Sequence, residues 1–189
     1  FLAALRIEGK IDLTQQEHSA RYAGLPTQRK IRALIQEGRL DVRYAERVAQ
    51  AKQALTQTYL EQRCRLDTGR LNLLRHFAPS YKLGCVTNCT KQTTFAVLDR
   101  LQLRPLLDAV ITNEDVKEPK PSPEPYQRVC ALLGTAPRET LVFEDHDRGM
   151  TSAFNAGCQA TQLRTVDELT IERVWLAIAA ATQHLKETP

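Results

Sequence analysis

The chain has 189 residues, 42% of them hydrophobic and 25% charged, with 26 Lys and Arg against 22 Asp and Glu. That length suits one ordinary domain with room for a small insert, and the charge fraction is that of a globular protein rather than a disordered one. The net charge of +4 is scattered, which argues against a nucleic-acid groove; no apolar run nears the roughly 18 residues of a membrane span, and Arg6, Glu8, Lys10 and Asp12 break any signal-peptide core.

Residues 1–66 read helical throughout. Thr14-Gln15-Gln16-Glu17 is a capping-box pattern that opens a short helix. Gly24-Leu25-Pro26-Thr27 is a turn into a second helix, with Ile31, Leu34 and Ile35 on one face and Gly38 at its end. Asp41 opens a long stretch in which Val42, Ala45, Val48, Leu55 and Leu60 recur mostly at helical spacing. No strand is expected in this third of the chain.

The pattern changes near residue 67. Lys82–Thr87 is a short apolar run ending in Asn88, and a helix with Phe95, Val97, Leu98 and Leu101 follows. Asp108–Thr112 is a second run, then a Pro-rich loop over Glu118–Pro123. Ser122 as N-cap and Pro123 as first helical residue predict a helix to about Leu133. Thr140–Phe143 is a third run ending in Glu144-Asp145. A helix is expected over Gly149–Ala156 with Gly157 capping it, then a strand over Gln159–Leu163. A terminal helix over 167–185 is expected to turn Trp175 and Ile178 inward.

Short apolar strands alternating with helices predict an α/β fold with a parallel sheet, whose ligand lies beyond the carboxyl ends of the strands. The polar residues gather there: Thr87 and Asn88 after one strand, Lys120 in the loop after the next, Glu144 and Asp145 after the third. Paired carboxylates at a strand end repel unless a cation or a polar network holds them, and such oxygen ligands suit Mg²⁺. Each piece alone has a bland reading: a strand-end Thr, a solvated Lys, two acids favoured by a helix dipole. Their order along the chain is more specific than any one.

Five cysteines (Cys64, Cys85, Cys89, Cys130, Cys158) make no Cys-x-x-Cys pair and have apolar neighbours, so they are expected as buried thiols of a reducing cytosol. The chain is accordingly read as cytoplasmic. Met150 is the only methionine, so Phe1 is not read as a translation start.

Val86-Thr87-Asn88, Lys120-Pro121-Ser122-Pro123-Glu124-Pro125-Tyr126, Phe143-Glu144-Asp145-His146-Asp147-Arg148-Gly149-Met150 and Ala156-Gly157 resemble motifs two to four of the haloacid dehalogenase-like superfamily. Within it they are most similar to the branch of phosphoglycolate phosphatases, small sugar-phosphate phosphatases and β-phosphoglucomutases. The resemblance implies a Rossmann-like three-layer core over 67–189 and an N-terminal helical cap over 1–66. It implies phosphoryl transfer through an aspartyl-phosphate on Mg²⁺. Thr87 would hydrogen-bond the phosphoryl oxygens, Asn88 would sit beside them, and Lys120 would neutralise their charge. Asp145 would ligate Mg²⁺, with Glu144 joining directly or through water, and Asp147 is a spare candidate. His146 departs from the family, where a small hydroxyl residue is frequent. Arg21, Thr27 and Lys30 flank the cap loop and are the candidate substrate contacts.

The family's first motif, an Asp-x-Asp loop after an N-terminal strand, has no match here. The expectation is a chain lacking its first core strand and its nucleophile, inactive alone, with a gap or a splayed pairing between the strands that end at Thr87 and Phe143. The implied partner is a small phosphorylated metabolite, with a monomer expected and no nucleic acid or membrane. A phosphate-binding or interaction protein without a nucleophile, and a β-phosphoglucomutase-type mutase, are the competing readings. A carbon-attacking dehalogenase proper works without Mg²⁺ and has less use for the acidic pair.

Overall fold

The computed structural model describes residues 1–187. The N-terminal part is helical, as its periodicity predicts. Helix α1 (Leu2–Ala4) runs into a π-helical turn over Leu5–Gly9, closed by Lys10 at φ 54°. Thr14 caps α2 (Gln15–Arg21) by accepting from the Glu17 N–H at 3.1 Å. A loop through Gly24, at φ 72°, leads to α3 (Thr27–Gln36), and α4 (Ala45–Arg63) follows a 3₁₀ turn capped by Asp41. Ala4, Leu5, Leu13, Tyr22, Ile31, Leu34, Leu40 and Val48 form one buried apolar cluster drawn only from this part.

Helix α5 (Thr68–Phe77) comes next, capped by Asp67 accepting from the Arg70 N–H at 3.0 Å. The sequence reading has no element there. Then strands and helices alternate: β1 (Gly84–Val86), α6 (Lys91–Arg100), β2 (Ala109–Ile111), α7 (Glu124–Leu133), β3 (Leu141–Glu144), α8 (Asp147–Asn155), β4 (Gln159–Gln162) and α9 (Ile171–Glu187). Ala109, Ile111, Tyr126, Val129, Cys130, Val142, Ala153, Ala156 and Cys158 make the cluster between β2, α7, β3 and α8. Two smaller clusters tie α5 to α6 and to α9.

All strand pairs are parallel, as the alternation predicts. Gly84, Cys85 and Val86 pair with Ala109, Val110 and Ile111, and Leu141–Glu144 pair with Gln159–Gln162. Among the described residues these are two separate two-stranded sheets, with no ladder between β1 and β3. The strands that end near Thr87 and Phe143 are therefore not paired with each other. A side-chain contact joins them: Lys120 Nζ donates to the Val86 carbonyl of β1 and to the Glu144 carboxylate of β3.

Several local expectations are corrected. Helix α7 begins at Glu124, with Pro123 in the N-cap place; the Ser122 hydroxyl still accepts from the Glu124 N–H, at 3.3 Å. Helix α8 begins at Asp147, two residues early, because the His146 ring Nδ1 accepts from the Arg148 N–H and caps it. A 3₁₀ turn over Val166–Glu168 delays α9 to Ile171. Trp175 is only partly inward: it is 45% exposed, tilted on Phe77 at 5.2 Å and edge-on to His76 and Tyr81, while Val174 takes the buried place beside Ile178. All five thiols are free, but only Cys130 and Cys158 are buried and Cys89 is exposed. Among the described residues no helix is long and apolar enough to cross a membrane.

Candidate active site

Three segments meet at the carboxyl ends of β1 and β3. The first is Thr87-Asn88, where β1 gives way to α6. The Thr87 N–H continues the ladder to the Ile111 carbonyl at 2.9 Å. Its hydroxyl oxygen accepts from the Cys89 N–H at 3.1 Å, which leaves the hydroxyl proton free to donate. Asn88 turns its carboxamide onto the second segment. Its Oδ1 accepts from the Lys120 N–H and its Nδ2 donates to the Lys120 carbonyl, both at 3.1 Å.

That second segment is the Pro-rich loop. It is short and stiff, and the Lys120–Pro121 bond is cis. Lys120 is only 7% exposed. A buried ammonium is tolerated only when paired and hydrogen-bonded. Its Nζ donates to the Val86 carbonyl at 2.9 Å and to Glu144 Oε1, and it lies 5.0 Å from the Tyr126 ring centroid.

The third segment is Glu144-Asp145. Glu144, the last residue of β3, is buried, and its Oε1 also accepts from the Tyr126 hydroxyl. Burial, and then the Glu144 carboxylate beside it, push the Tyr126 phenol far above its usual range, so it stays a donor. Gly149 makes room for this arrangement: a Cβ there would stand 2.1 Å from Glu144 Cδ. Asp145 is exposed and, among the described residues, has neither an ion pair nor a hydrogen bond through its side chain. Asp147 is exposed and accepts from Gln162 Nε2 at 3.2 Å.

The cap-loop residues divide. Arg21 is exposed and pairs within the helical part, with Glu37 at 2.7 Å and Glu17 at 3.8 Å. Thr27 opens α3. Lys30 is half-buried and its Nζ lies 3.1 Å from His18 Nε2; burial, then Lys52, lower its pKa, while the Cys89 thiol acts the other way. Among the described residues no hydrogen bond or ion pair joins Arg21, Thr27 or Lys30 to Lys120 or Asp145, although Lys30 feels Cys89, the residue after Asn88. The helical part also reaches the core through Gly24, Arg29 and Ala23, which contact Asn88, Glu118 and Arg148. Sequence reasoning gave no role to Tyr126 or Arg148. Tyr126 was legible in principle, because it shares the inward face of α7 with Val129 and Cys130 and falls six residues after Lys120.

The donor set bears on a metal. Among the described residues no three His, Cys, Asp or Glu side chains converge into a metal-holding group. Two adjacent carboxylates at a strand end, one of them unengaged, do fit Mg²⁺, which takes one or two carboxylates and completes its shell with water and substrate phosphate.

The fold and this site define a class, an α/β protein with parallel strands and its polar residues at their carboxyl ends. The family profile of haloacid dehalogenase-like hydrolases matches residues 2–163, and the chain belongs to that family. It is 39% identical over 77 residues to the pyrophosphatase PpaX of Bacillus cereus (strain AH820), covering 41% of this chain and 36% of that protein. It is 36% identical over 86 residues to the validoxylamine A 7'-phosphate phosphatase of Streptomyces hygroscopicus subsp. limoneus, covering 46% of this chain and 40% of that one. These matches span well under half of either relative. Among solved structures, β-phosphoglucomutase from Clostridium difficile superposes with a TM-score of 0.77 at 16% identity, over 94% of this chain and 89% of that one. CbbY from Rhodobacter sphaeroides in complex with phosphate gives 0.74 at 18% identity, over 85% and 75%. At such identities these likenesses speak for the fold.

Proposed function

We propose that these 189 residues carry the phosphoryl- and metal-binding half of a Mg²⁺-dependent phosphatase acting on a small phosphate monoester. One observation carries the reading: Lys120 is held buried between Val86 and Glu144, next to Thr87, while the neighbouring Asp145 carboxylate is unengaged. A preorganised cation beside a hydroxyl donor and a free carboxylate is what a transferring phosphoryl group requires.

In this reading the Thr87 hydroxyl, which accepts from the Cys89 N–H and keeps its proton free, donates to a phosphoryl oxygen. Lys120 opposes the charge that builds on those oxygens, and Glu144 with Tyr126 fixes where its ammonium stands. Asn88 holds the backbone of Lys120. Asp145, joined by Glu144, would hold Mg²⁺. Bound there, the ion supplies Lewis-acid stabilisation of phosphoryl charge. The nucleophilic aspartate is not among the described residues of this site, so the chain alone is read as inactive.

Residues 1–66 are read as a cap and 67–189 as the core, supported by the apolar cluster that 1–66 forms without the core. The relatives named as a pyrophosphatase and a validoxylamine A 7'-phosphate phosphatase support a phosphorylated metabolite as substrate. Five free thiols support a cytoplasmic setting.

Calorimetric titration with Mg²⁺ in the presence of inorganic phosphate tests the reading. Saturable binding is expected, weakened at least about tenfold by Asp145→Asn. Equal binding by the variant, with the fold unchanged, would overturn the metal assignment.

A further inference from the structure

Asn88 follows Thr87 at the end of β1. An asparagine side chain has two N–H donors and one carbonyl acceptor. Both donors are taken here: the Gly24 carbonyl accepts one at 2.8 Å and the Lys120 carbonyl the other at 3.1 Å. The Oδ1 accepts from the Lys120 N–H at 3.1 Å, which fixes the orientation of the amide. One carboxamide therefore closes a two-bond ring on the backbone of Lys120 and holds the tip of the α2–α3 loop.

The loop tip is seated from its other side as well. Arg148 Nε donates to the Ala23 carbonyl at 3.2 Å. The His146 ring packs on Gly24, where a Cβ would come within 3.1 Å of His146 Cε1 and 3.2 Å of Arg148 Cδ. Gly24 is at φ 72°, a conformation that suits glycine and lets consecutive carbonyls face different partners. Arg29 pairs at 2.5 Å with Glu118, two residues before Lys120.

We infer that Asn88 is a positioning residue that couples docking of the α2–α3 loop to the placement of Lys120. The consequence for catalysis rests on the reading of Lys120 as the group that neutralises phosphoryl charge. With the loop docked, the bond to Gly24 holds the amide plane, so its remaining donor and its acceptor meet Lys120. With the loop away, the amide loses its shortest bond, and the terminal torsion of asparagine is soft. The clamp on Lys120 then loosens. Access from the cap side and readiness of the cation thus change together. Both Asn88 donors end on backbone carbonyls, so Asn88 acts through Lys120 and not by donating to substrate.

The test is amide hydrogen exchange of the 189-residue chain, resolved by residue with NMR. The Lys120 N–H reports the clamp, and the Thr87 N–H, bonded to Ile111 in the β1–β2 ladder, reports core integrity. Asn88→Ala is expected to speed Lys120 exchange about tenfold, the effect of losing one hydrogen bond, with Thr87 unchanged. The decisive variants are Gly24→Ala, whose added Cβ would meet His146 and Arg148, and Arg148→Ala, which removes the bond to the Ala23 carbonyl; both unseat the loop and leave the Asn88 and Lys120 side chains and the bonds between them unaltered in composition. Coupling predicts that each speeds Lys120 exchange several-fold and shifts the Asn88 side-chain amide resonances. Faster exchange at Leu25 in the loop with wild-type exchange at Lys120 would overturn the inference. So would a Lys120 amide that already exchanges like a free peptide in the wild type. None of these readouts depends on Mg²⁺ or turnover, so failure of the phosphatase reading is recorded separately.

Discussion

Lys120 and Glu144 form an ion pair whose side chains are only 9% and 10% exposed. It joins the Pro-rich loop to the end of β3, across the gap that separates the two sheets. Each partner has a further bond, Lys120 to the Val86 carbonyl and Glu144 to the Tyr126 hydroxyl, so neither charge is left short of partners.

Removing one partner of such a pair leaves an uncompensated buried charge, which costs about 3–5 kcal/mol. Lys120→Met is therefore expected to lower the stability seen in urea denaturation by that amount, and Glu144→Gln by somewhat less because the amide keeps hydrogen bonds. The double variant should lose less than the sum of the two.

Tyr126 links the pair to pH. Its folded pKa lies above the unfolded value of about 10, so the protonated phenol is favoured by the fold. That contribution is present below pH 10 and is lost as pH rises toward the folded value. Stability should fall above pH 10, and Tyr126→Phe should flatten this limb by about 1.4 kcal/mol per pH unit. At neutral pH the variant should cost about 1.5–3 kcal/mol, the worth of a hydrogen bond to a charged group.

Gly149→Ala is expected to act on the site through one contact. The added Cβ would overlap the Glu144 carboxyl, 2.1 Å from Cδ. The helix itself would favour alanine by about 1 kcal/mol. A net destabilisation of about 1–3 kcal/mol would mean that Glu144 has been pushed off Lys120 and Tyr126; a net stabilisation would show that the carboxylate moves at no cost.

Much of this arrangement is legible in the sequence, and the reasons differ by element. The strands could be placed because their apolar runs end abruptly in Asn88, Thr112 and Glu144, and polar residues at strand ends are the sheet's ligand edge. The family motifs put Thr87, Asn88, Lys120, Glu144 and Asp145 on one edge, and the chemistry of their contacts is consistent with that. Helix α5 is not legible in the sequence because Thr68–Phe77 mixes Arg70, Asn72, Arg75 and His76 among its apolar residues, and its strongest signal is the Asp67 cap. Trp175 reaches the cluster only at its edge, on Phe77, because neighbouring helix positions differ by about 100° and Val174 takes the buried place. The docking of Gly24 on Asn88 was not legible at all: it joins residues 64 apart through a backbone carbonyl, which leaves no trace in residue type.

The buried thiols give an independent check on packing. Cys130 and Cys158 lie 3.8 Å apart, and burial with the neighbouring thiol pushes Cys158 up to about 12. Reactivity follows thiolate and exposure. Brief alkylation at pH 8 should label Cys89 within minutes and leave Cys130 and Cys158 unmodified until the chain unfolds, as read by peptide mass spectrometry.

Turnover of para-nitrophenyl phosphate with Mg²⁺ tests the central claim most directly. The comparison is between the 189-residue chain and a chain that adds the family's Asp-x-Asp strand. The account predicts no turnover by the first and clear turnover by the second, reduced at least about a hundredfold by Asp145→Asn or Lys120→Ala. Turnover by the 189-residue chain alone, or activity in the longer chain that is indifferent to both substitutions, would contradict it.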